Sequence, residues 1–545
     1  MTHPARVSTN NQPPVVGVHA GLDAVERHFH ARGWTPFNFQ RAVWHAYRNG
    51  RSGLVHAPTG MGKTHAAWFG PLSEILAGDV DTRGLRVLWI TPMRALATDT
   101  ERALQESVAE LGLDLPIGKR TGDTSTTVRA RQKQRLPAAL VTTPESLSLL
   151  LSYADAEAKF RALRCVVVDE WHELLSSKRG VQTELCLARL RRLSPALRTW
   201  GLSATIGNLD EAMDTLLGRT ENPGLIVRGD EEHVGEKVLD VETILPRDVE
   251  RFPWYGHLGL TLLPDVLERI EATDGVTLVF TNTRSQVELW YRSIMAAKPE
   301  WLGTVAVHHG SLDLAIRREV EAGIRSRRFR VVVCTSSLDL GVDFSPVSQV
   351  MQVGSPKGIA RLMQRAGRSG HQPGAVSRVV CVPSHALELV EFAAARRGIA
   401  ARDVEAREPL HRPLDVLVQH LVTVGIGTGF HARGMLDEVR SATSYADLSD
   451  QQWQWCIDFV QRGGSALRAY PQYARLVEQD GRWHAATTGI ARTHRLGIGT
   501  IGGSTAMQVR FGAGKTLGTI EEGFITRLRI GDCFNFSGRL LELVR

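Results

Sequence analysis

Between about residues 50 and 205, short apolar runs alternate with longer amphipathic stretches. The runs are "GLVH" (53–56), "RVLWI" (86–90), "ALVT" (139–142), "CVVVD" (165–169) and "TWGLS" (199–203). Near-continuous apolar runs of this length fit strands buried on both faces of a parallel sheet. The pattern returns between about 276 and 383 as "VTLVF" (276–280), "TVAV" (304–307), "RVVVC" (330–334), "QVMQV" (349–353) and "RVVCV" (378–382). Two α/β domains follow, joined by the polar segment 227–242, and the second is not a sequence repeat of the first.

After about 400 the pattern changes. Residues 414–425, 432–442 and 449–463 carry helical periodicity, with Ser449 or Asp450 as N-cap and Gly463 as stop of the third. "YARLVEQDGRWHAA" (473–486) places Asp-Gly between alternating segments, a hairpin signal. Three helices and a hairpin suggest a winged-helix unit. From about 497 the chain is Gly-rich and strand-like and ends on the apolar "GRLLELVR", as a chain cut inside a domain would.

Composition narrows this only a little. A chain of 545 residues, 43% apolar and 23% charged, is ordinary for globular protein and long enough for about three or four domains. The net charge of +7 and pI near 9.2 are compatible with a polyanionic partner. The six cysteines lie at 165, 186, 334, 381, 456 and 533, with no CxxC pair, which argues against a zinc ribbon or a cluster of neighbouring thiolates. They read as small buried hydrophobes of a reducing cytoplasm. Residues 1–20 read as a disordered tail, and no window offers ~18 consecutive apolar residues for a membrane span.

The candidate chemistry sits at strand ends. "APTGMGKT" (57–64) directly follows a strand. Gly60 and Gly62 let the backbone curl so that N–H groups, with Pro58, Thr59 and Met61 in the loop, face phosphates. Lys63 is expected to reach the β and γ phosphates of a nucleotide and Thr64 to hold Mg²⁺. Asp169 ends a second buried strand of the same sheet, and ligands of such sheets bind at the carboxyl ends. Asp169 is therefore expected to bind Mg²⁺ and Glu170 to activate the attacking water. "HELLS" (172–176) lacks the second His of a zinc protease motif. Ser203 and Thr205 in "LSATIGN" can bond the acidic stretch. His172 is expected to relay nucleotide state through Ser203 or Gln364, and Trp171 to pack. Gln40 in "FNFQ" can pair with the donor–acceptor edge of adenine, and Phe37, Phe39 or Trp34 either stack on the ring or belong to the core. In "QRAGRSGH" (364–371), the guanidiniums of Arg365 and Arg368 are placed to reach a γ-phosphate across a cleft. Asp339, Gly341 and Asp343 in "TSSLDLGVDF" lie near the same cleft.

Taken in order, these motifs with "TPMRALA", "TTPES" and "FTNTRS" resemble a superfamily 2 helicase. "DEWHEL", "CTSSLDLGVDF" and "GSPKGIARLMQRAGRSGH" resemble the large helicase-related (Lhr) family, in its bacterial branch of ligase-associated DEXH-box helicases. The resemblance spans about residues 20–545. It implies two RecA-like domains (21–220 and 221–398), a winged helix (399–490) and a β-rich, barrel-like segment (491–545). It further implies an ATP- and Mg²⁺-dependent translocase, moving 3′ to 5′ on single-stranded DNA in the bacterial cytoplasm. Such an enzyme unwinds DNA or RNA–DNA duplexes, with a repair role beside an ATP-dependent DNA ligase and a metallophosphoesterase. His371 stands where many relatives carry a second arginine finger, leaving Arg368 as first choice and Arg365 behind it. By the same resemblance the nucleic-acid contacts map onto Thr91, Pro92, Arg94, Thr121, Gly122, Asp123, Thr142, Thr143 and Pro144. In the second domain they map onto Thr281, Asn282, Arg284, His309, Gly310, Thr335 and Ser336. Trp453 and Trp455 face different sides of one helix, one as core and one available to a base. The rival readings are a Ski2-like RNA helicase, whose additional helical domain this chain has little room for, and a nucleic-acid clamp with a structural ATP site.

Overall fold

The computed structural model of the chain describes residues 20–220, 222–229, 239–247, 252–254, 258–339, 347–370, 376–463, 474–498, 506–512, 516–525, 528–536 and 538–544. Gly341, Asp343, His371 and the tail before residue 20 lie outside the described residues.

The first lobe is built on seven parallel strands: β1 (Gly53–His56), β2 (Val87–Ile90), β3 (Ile117–Arg120), β4 (Ala139–Thr142), β5 (Cys165–Val168), β6 (Arg198–Ser203) and β7 (Leu225–Arg228). Their order is β3-β4-β2-β5-β6-β1-β7. Alternate residues serve two cores. Val55, Trp89, Val141 and Val167 face one helical layer, while Leu54, Leu88, Leu140 and Val166 face the other. This two-sided burial, about 1.5–3 kcal/mol for each such side chain, is why the central strands read as unbroken apolar runs. Edge strands escape that reading. "IGKR" of β3 is only half-buried, and β7 pairs with β1 beyond residue 220, so the first lobe extends past that boundary.

Among the described residues the second lobe holds six parallel strands: β8 (Leu239–Thr243), β9 (Val276–Phe280), β10 (Val305–His308), β11 (Val331–Cys334), β12 (Val347–Val353) and β13 (Ser377–Val382), in the order β10-β11-β9-β12-β13-β8. The polar connection expected over 227–242 thus contributes an edge strand to each sheet.

Helices Leu414–Gly425, Ala432–Arg440 and Asp450–Arg462 and the hairpin of β14 (Leu476–Gln479) with β15 (Arg482–Ala485) form the winged helix. Ser449 and Gln452 exchange side-chain and backbone hydrogen bonds, both 3.1 Å, in a capping box that starts the third helix. Asp480 and Gly481 both take positive φ, 53° and 74°, the turn that a two-residue hairpin favours. The domain shares its core with the first lobe: Val181, Leu185 and Ala188 of helix Lys178–Leu193 pack among Leu417, Leu421 and Tyr445. Arg189 bonds Glu438 at 2.9 Å across this seam. Glu184 accepts from the N–H (3.0 Å) and hydroxyl (2.7 Å) of Ser444.

Helix Thr488–Gly497 packs on the winged helix, beyond the expected boundary at 490. Two further hairpins follow: β16 (Ala506–Arg510) with β17 (Thr516–Glu521), and β18 (Cys533–Phe536) with β19 (Arg539–Glu542). They do not stand apart. Leu517, Ile520, Phe534 and Phe536 join the core of the second lobe beside Trp290 and Val307. Five cysteines are buried as expected; Cys533, on β18, is exposed.

Candidate functional site

The loop after β1 turns through Gly62, whose φ of 76° an L side chain resists, into the helix Lys63–Leu76. Lys63 is buried, and its Nζ donates to the carbonyls of Ala57 (2.7 Å) and Pro58 (3.0 Å). Burial lowers the pKa of this ammonium, Glu170 and Asp169 raise it, and Arg368 of the other lobe lowers it again. Gln40 braces the loop: its Nε2 donates to Gly62 O at 3.1 Å and its Oε1 accepts from Phe37 N at 3.0 Å. The amide expected at adenine is thus seated on the phosphate loop, with Phe37 stacked on Phe39 beside it.

Asp169 and Glu170 follow β5 at the same rim. Asp169 accepts from Trp89 Nε1 (3.2 Å) and from Glu170 N (3.0 Å); burial and the neighbouring Glu170 carboxylate push its pKa up to about 7. Glu170 takes φ 45° and ψ 49°, a left-handed backbone that costs about 1–3 kcal/mol in a non-glycine residue. Its Oε2 is buried and accepts no hydrogen bond among the described residues. A buried carboxylate edge of this kind calls for cationic company. A Thr hydroxyl with a carboxylate is the oxygen donor set that Mg²⁺ takes, so Thr64 and Asp169 fit that ion. Trp171 is packed, its Nε1 donating to Ala212 O at 2.8 Å.

His172 bonds Ser203 Oγ through Nδ1 at 3.2 Å, while its buried Nε2 has no hydrogen-bond partner among the described residues. The Ser203 contact expected of it is present; a bond to Gln364 is not. Burial holds this imidazole down near 4; the Glu173 carboxylate pulls it back up, and the charges of Lys63 and Arg407 lower it again.

The second lobe closes on this rim through the helix Ile359–Ala366 and the turn after it. A Cβ on Gly367 would lie 3.3 Å from Thr59 Oγ1, so the two lobes are in contact at the phosphate loop. Arg368 follows, buried and near enough to Lys63 to act on its charge. Arg365 does something else. Its Nε donates to Asp339 Oδ1 (2.8 Å), Nη2 to Asp339 Oδ2 (3.2 Å) and Nη1 to Gln352, and the plane lies 4.7 Å from the Phe280 ring centre. The expectation that Arg365 reaches the nucleotide is corrected: three of its guanidinium nitrogens are spent inside its own lobe, and Asp339 is spent with it. Gln364 is buried on the same helix.

The first-lobe residues mapped to nucleic acid gather at the ends of β2, β3 and β4. Thr91 donates to Met93 O (3.1 Å), Pro92 precedes the helix that Arg94 opens, and Thr143 stands just before the helix begun by Pro144, its hydroxyl donating to Ser146 Oγ (3.3 Å). Thr142 Oγ1 bonds Arg120 O (2.8 Å), and Arg94 pairs with Asp123 at 2.9 Å beside Gly122. A cavity of about 400 Å³ opens here, lined by Arg94, Thr121, Gly122, Arg129, Thr143 and Arg495. Arg129 and Arg495 escaped the sequence reading. Arg495 sits in helix Thr488–Gly497 and reaches back to Ser152, at 2.6 Å from its carbonyl, and its only trace was the basic run "ARTHRLG".

The second-lobe set is less uniform. Thr281 bonds Thr283 O (3.2 Å), Asn282 bonds Ser355 O (2.8 Å), and Arg284 bonds Ser311 Oγ (3.2 Å). Thr335 and Ser336 open a short 3₁₀ turn, and Gly310 is exposed. His309 is corrected. It is buried, 3.2 Å from Glu288, and edge-on to Phe536 of β18, so it does not face a ligand groove. Trp453 is core, and the half-exposed Trp455 stacks on Phe459 with ring centres 5.2 Å apart.

Three family descriptions match the chain: "DEAD/DEAH box helicase" over residues 37–212, "Helicase conserved C-terminal domain" over 260–372, and "Large helicase-related protein, winged helix domain" over 397–545. The ATP-dependent helicase Lhr-Core of Methanothermobacter thermautotrophicus is 34% identical over 510 residues, covering 90% of this chain and 58% of that protein. The Lhr helicase/probable uracil glycosylase of Mycolicibacterium smegmatis is 32% identical, covering 78% of this chain and 30% of that one. Among solved structures, Mycobacterium smegmatis helicase Lhr bound to ssDNA and AMP-PNP superposes with a TM-score of 0.76 at 32% identity, covering 90% of this chain and 63% of that chain. The DUF1998 helicase MrfA bound to DNA shares the fold, with a TM-score of 0.73 at 20% identity. The chain spans 58% to 62% of the length of the first curated relatives it matches.

Proposed function

The chain belongs to the Lhr family of superfamily 2 helicases, and from that premise we propose that it is an ATP-driven motor on single-stranded DNA. One observation carries the reading: Arg368 of one lobe and Lys63 of the other share a single buried cleft. A charge delivered across a cleft stabilises a phosphoryl group in transfer only while the lobes are closed, which couples hydrolysis to lobe motion. In this reading Gly60, Gly62 and Lys63 cradle the phosphates of ATP, and Glu170 takes the proton of the attacking water. Arg368 neutralises the developing charge. Gln40 serves the adenine end through the hydrogen-bonding capacity its amide retains. Mg²⁺, held by Thr64 and Asp169, would supply further positive charge at the phosphates. The His172–Ser203 bond joins this rim to the loop after β6.

The DNA strand lies over the ends of β2, β3 and β4, where helix N-termini and Arg94 meet phosphates. Among the described residues the lining offers arginines, hydroxyls and backbone suited to phosphates, so weak sequence preference is expected. Travel from 3′ to 5′, displacement of DNA or RNA from a DNA tracking strand, work in repair beside an ATP-dependent DNA ligase and a metallophosphoesterase, and a cytoplasmic location are the finer parts of the proposal. They follow the family resemblance. Among the described residues no helix is long and apolar enough to cross a membrane.

Phosphate release with and without single-stranded DNA tests the reading. Stimulation by DNA is expected, with a loss of about 1,000-fold or more in Lys63→Ala and Glu170→Ala. Robust turnover by Glu170→Ala would remove the role assigned to that carboxylate, and no turnover in the parent would remove the motor.

A further inference from the structure

Between the second lobe and the winged helix, residues 403–413 run without regular secondary structure. Its end bonds the winged helix, Arg412 N to Ser444 O at 3.0 Å and Pro413 O to the Tyr445 hydroxyl at 2.9 Å, while its start is attached, at Glu405 and Arg407, to two elements that carry the site. On the first-lobe side, Asn208 closes the loop that follows Ser203 and Thr205. Its Nδ2 donates to Arg407 O (3.1 Å) and its Oδ1 accepts from Arg407 N (2.8 Å). One side-chain amide thus gives the segment the pairing a neighbouring strand would give. Val404 O lies so close to Gly207 that a Cβ there would overlap it.

On the second-lobe side, the carboxylate of Glu405 accepts from Ile359 N (3.0 Å) and Ala360 N (3.2 Å). These are the first two N–H groups of the helix Ile359–Ala366, donors with no partner inside the helix. A carboxylate there also meets the positive end of the helix dipole. Gly358, at φ 141°, leaves the room that Glu405 fills. The same helix leads directly into Gly367 and Arg368. Beyond residue 413 the chain enters the winged helix, which is itself packed on the first lobe.

We propose that this segment is a strap tying the arginine-bearing helix to the first lobe, and that Asn208 and Glu405 are positioning residues that seat Arg368 in the cleft. The backbone between Glu405 and Arg407 spans at most about 7 Å. So short a tether cannot lengthen when the lobes part, and one anchor must release. Its purpose rests on the motor reading, but its existence can be tested apart from it.

The test is backbone hydrogen exchange on the whole chain, comparing the parent with Asn208→Ala, Asn208→Asp and Glu405→Gln. Asn208 bonds to nothing in the helix Ile359–Ala366, yet Asn208→Ala should speed exchange at Ile359 and Ala360 roughly fivefold. Asn208 Nδ2 also donates to Glu211, so Asn208→Asp is made together with Glu211→Gln; it keeps the acceptor for Arg407 N and loses the donor, and should fall between parent and Ala. Unchanged exchange at these amides, or the reverse order, overturns the strap. In ATP turnover with single-stranded DNA, Asn208→Ala and Glu405→Gln should lower kcat about tenfold with KM for ATP within about twofold. A rise in KM with kcat intact would overturn the positioning role. If the parent shows no DNA-stimulated turnover, the motor reading fails, and the exchange result still decides whether the strap exists.

Discussion

The two sheets present the same kind of rim, strand ends leading into helix starts, and use it differently. In the first lobe, the ends of β1, β2, β4 and β5 carry the phosphate loop, Thr91, Thr143 and the Asp169–Glu170 pair toward a cleft and a cavity. In the second lobe, the rim beside β10 lies under the C-terminal hairpins. Thr519 N bonds Ser311 O at 2.8 Å, Phe536 meets His309, and Gly538 N bonds Glu288 at 2.6 Å. A strand-end residue becomes a contact residue only where its rim stays open, and a motif does not say what will later cover it.

The same contrast separates two arginines one helical turn apart, and it can be broken experimentally. Arg368→Ala should cut turnover about 1,000-fold while leaving the melting temperature close to the parent's. Arg365→Ala should instead cost about 3 kcal/mol of second-lobe stability, because buried Asp339 loses its bidentate partner and keeps only Arg361, 3.8 Å away. Melting curves run beside turnover separate the two; a stable but inactive Arg365→Ala protein would reverse the assignment. The rims are compared more gently by DNA affinity. Arg94→Ala should weaken single-stranded DNA binding roughly tenfold and lower the salt slope by about 0.7. His309→Ala should leave affinity within about twofold, and an equal loss in both would mean that the second rim opens in the working protein.

A pH-dependent effect tests the seam that the first lobe makes with the winged helix. Burial pushes Glu184 up to about 8, against an ordinary value of 4.5. The native state therefore holds a proton that the unfolded chain has released, and stability falls as pH rises from 4.5 to 8. Glu184→Gln should flatten that fall, so that the gap between variant and parent widens by roughly 1 kcal/mol per pH unit in the window. Parallel stability curves for the two proteins would place Glu184 outside the seam's energetics.

Legibility in the sequence followed burial. The strands buried on both faces, such as 53–56, 139–142 and 276–280, were legible because both faces pack into core and most of their residues are apolar. The edge strands β3, β7 and β8 were not, since one face meets water and their sequences look like linkers. The phosphate loop was legible because its chemistry is local: Gly62, Lys63 and Thr64 act within one turn. Arg365 and His309 were misplaced because their partners, Asp339 and Gln352 for one and Glu288 and Phe536 for the other, are distant in sequence. Arg495 went unseen for the same reason: only the folded chain puts it beside Gly122 and Thr143. Arg129 is seven residues from Gly122, but it sits in the polar helix Thr126–Gln134, where no motif marks it.

The shared core of helix Lys178–Leu193 and the winged helix has a consequence for biosynthesis. The stripe of Val181, Leu185 and Ala188 leaves the ribosome roughly 230 residues before Leu417 and Leu421 arrive to cover it. At about 5–20 residues per second, that is some 10–50 s during which a nascent first lobe offers a sticky face to its neighbours. Glu184 stands in the middle of that face. Until the partner arrives it is a carboxylate in water, a charge that discourages aggregation; once Ser444 closes over it, burial returns its proton.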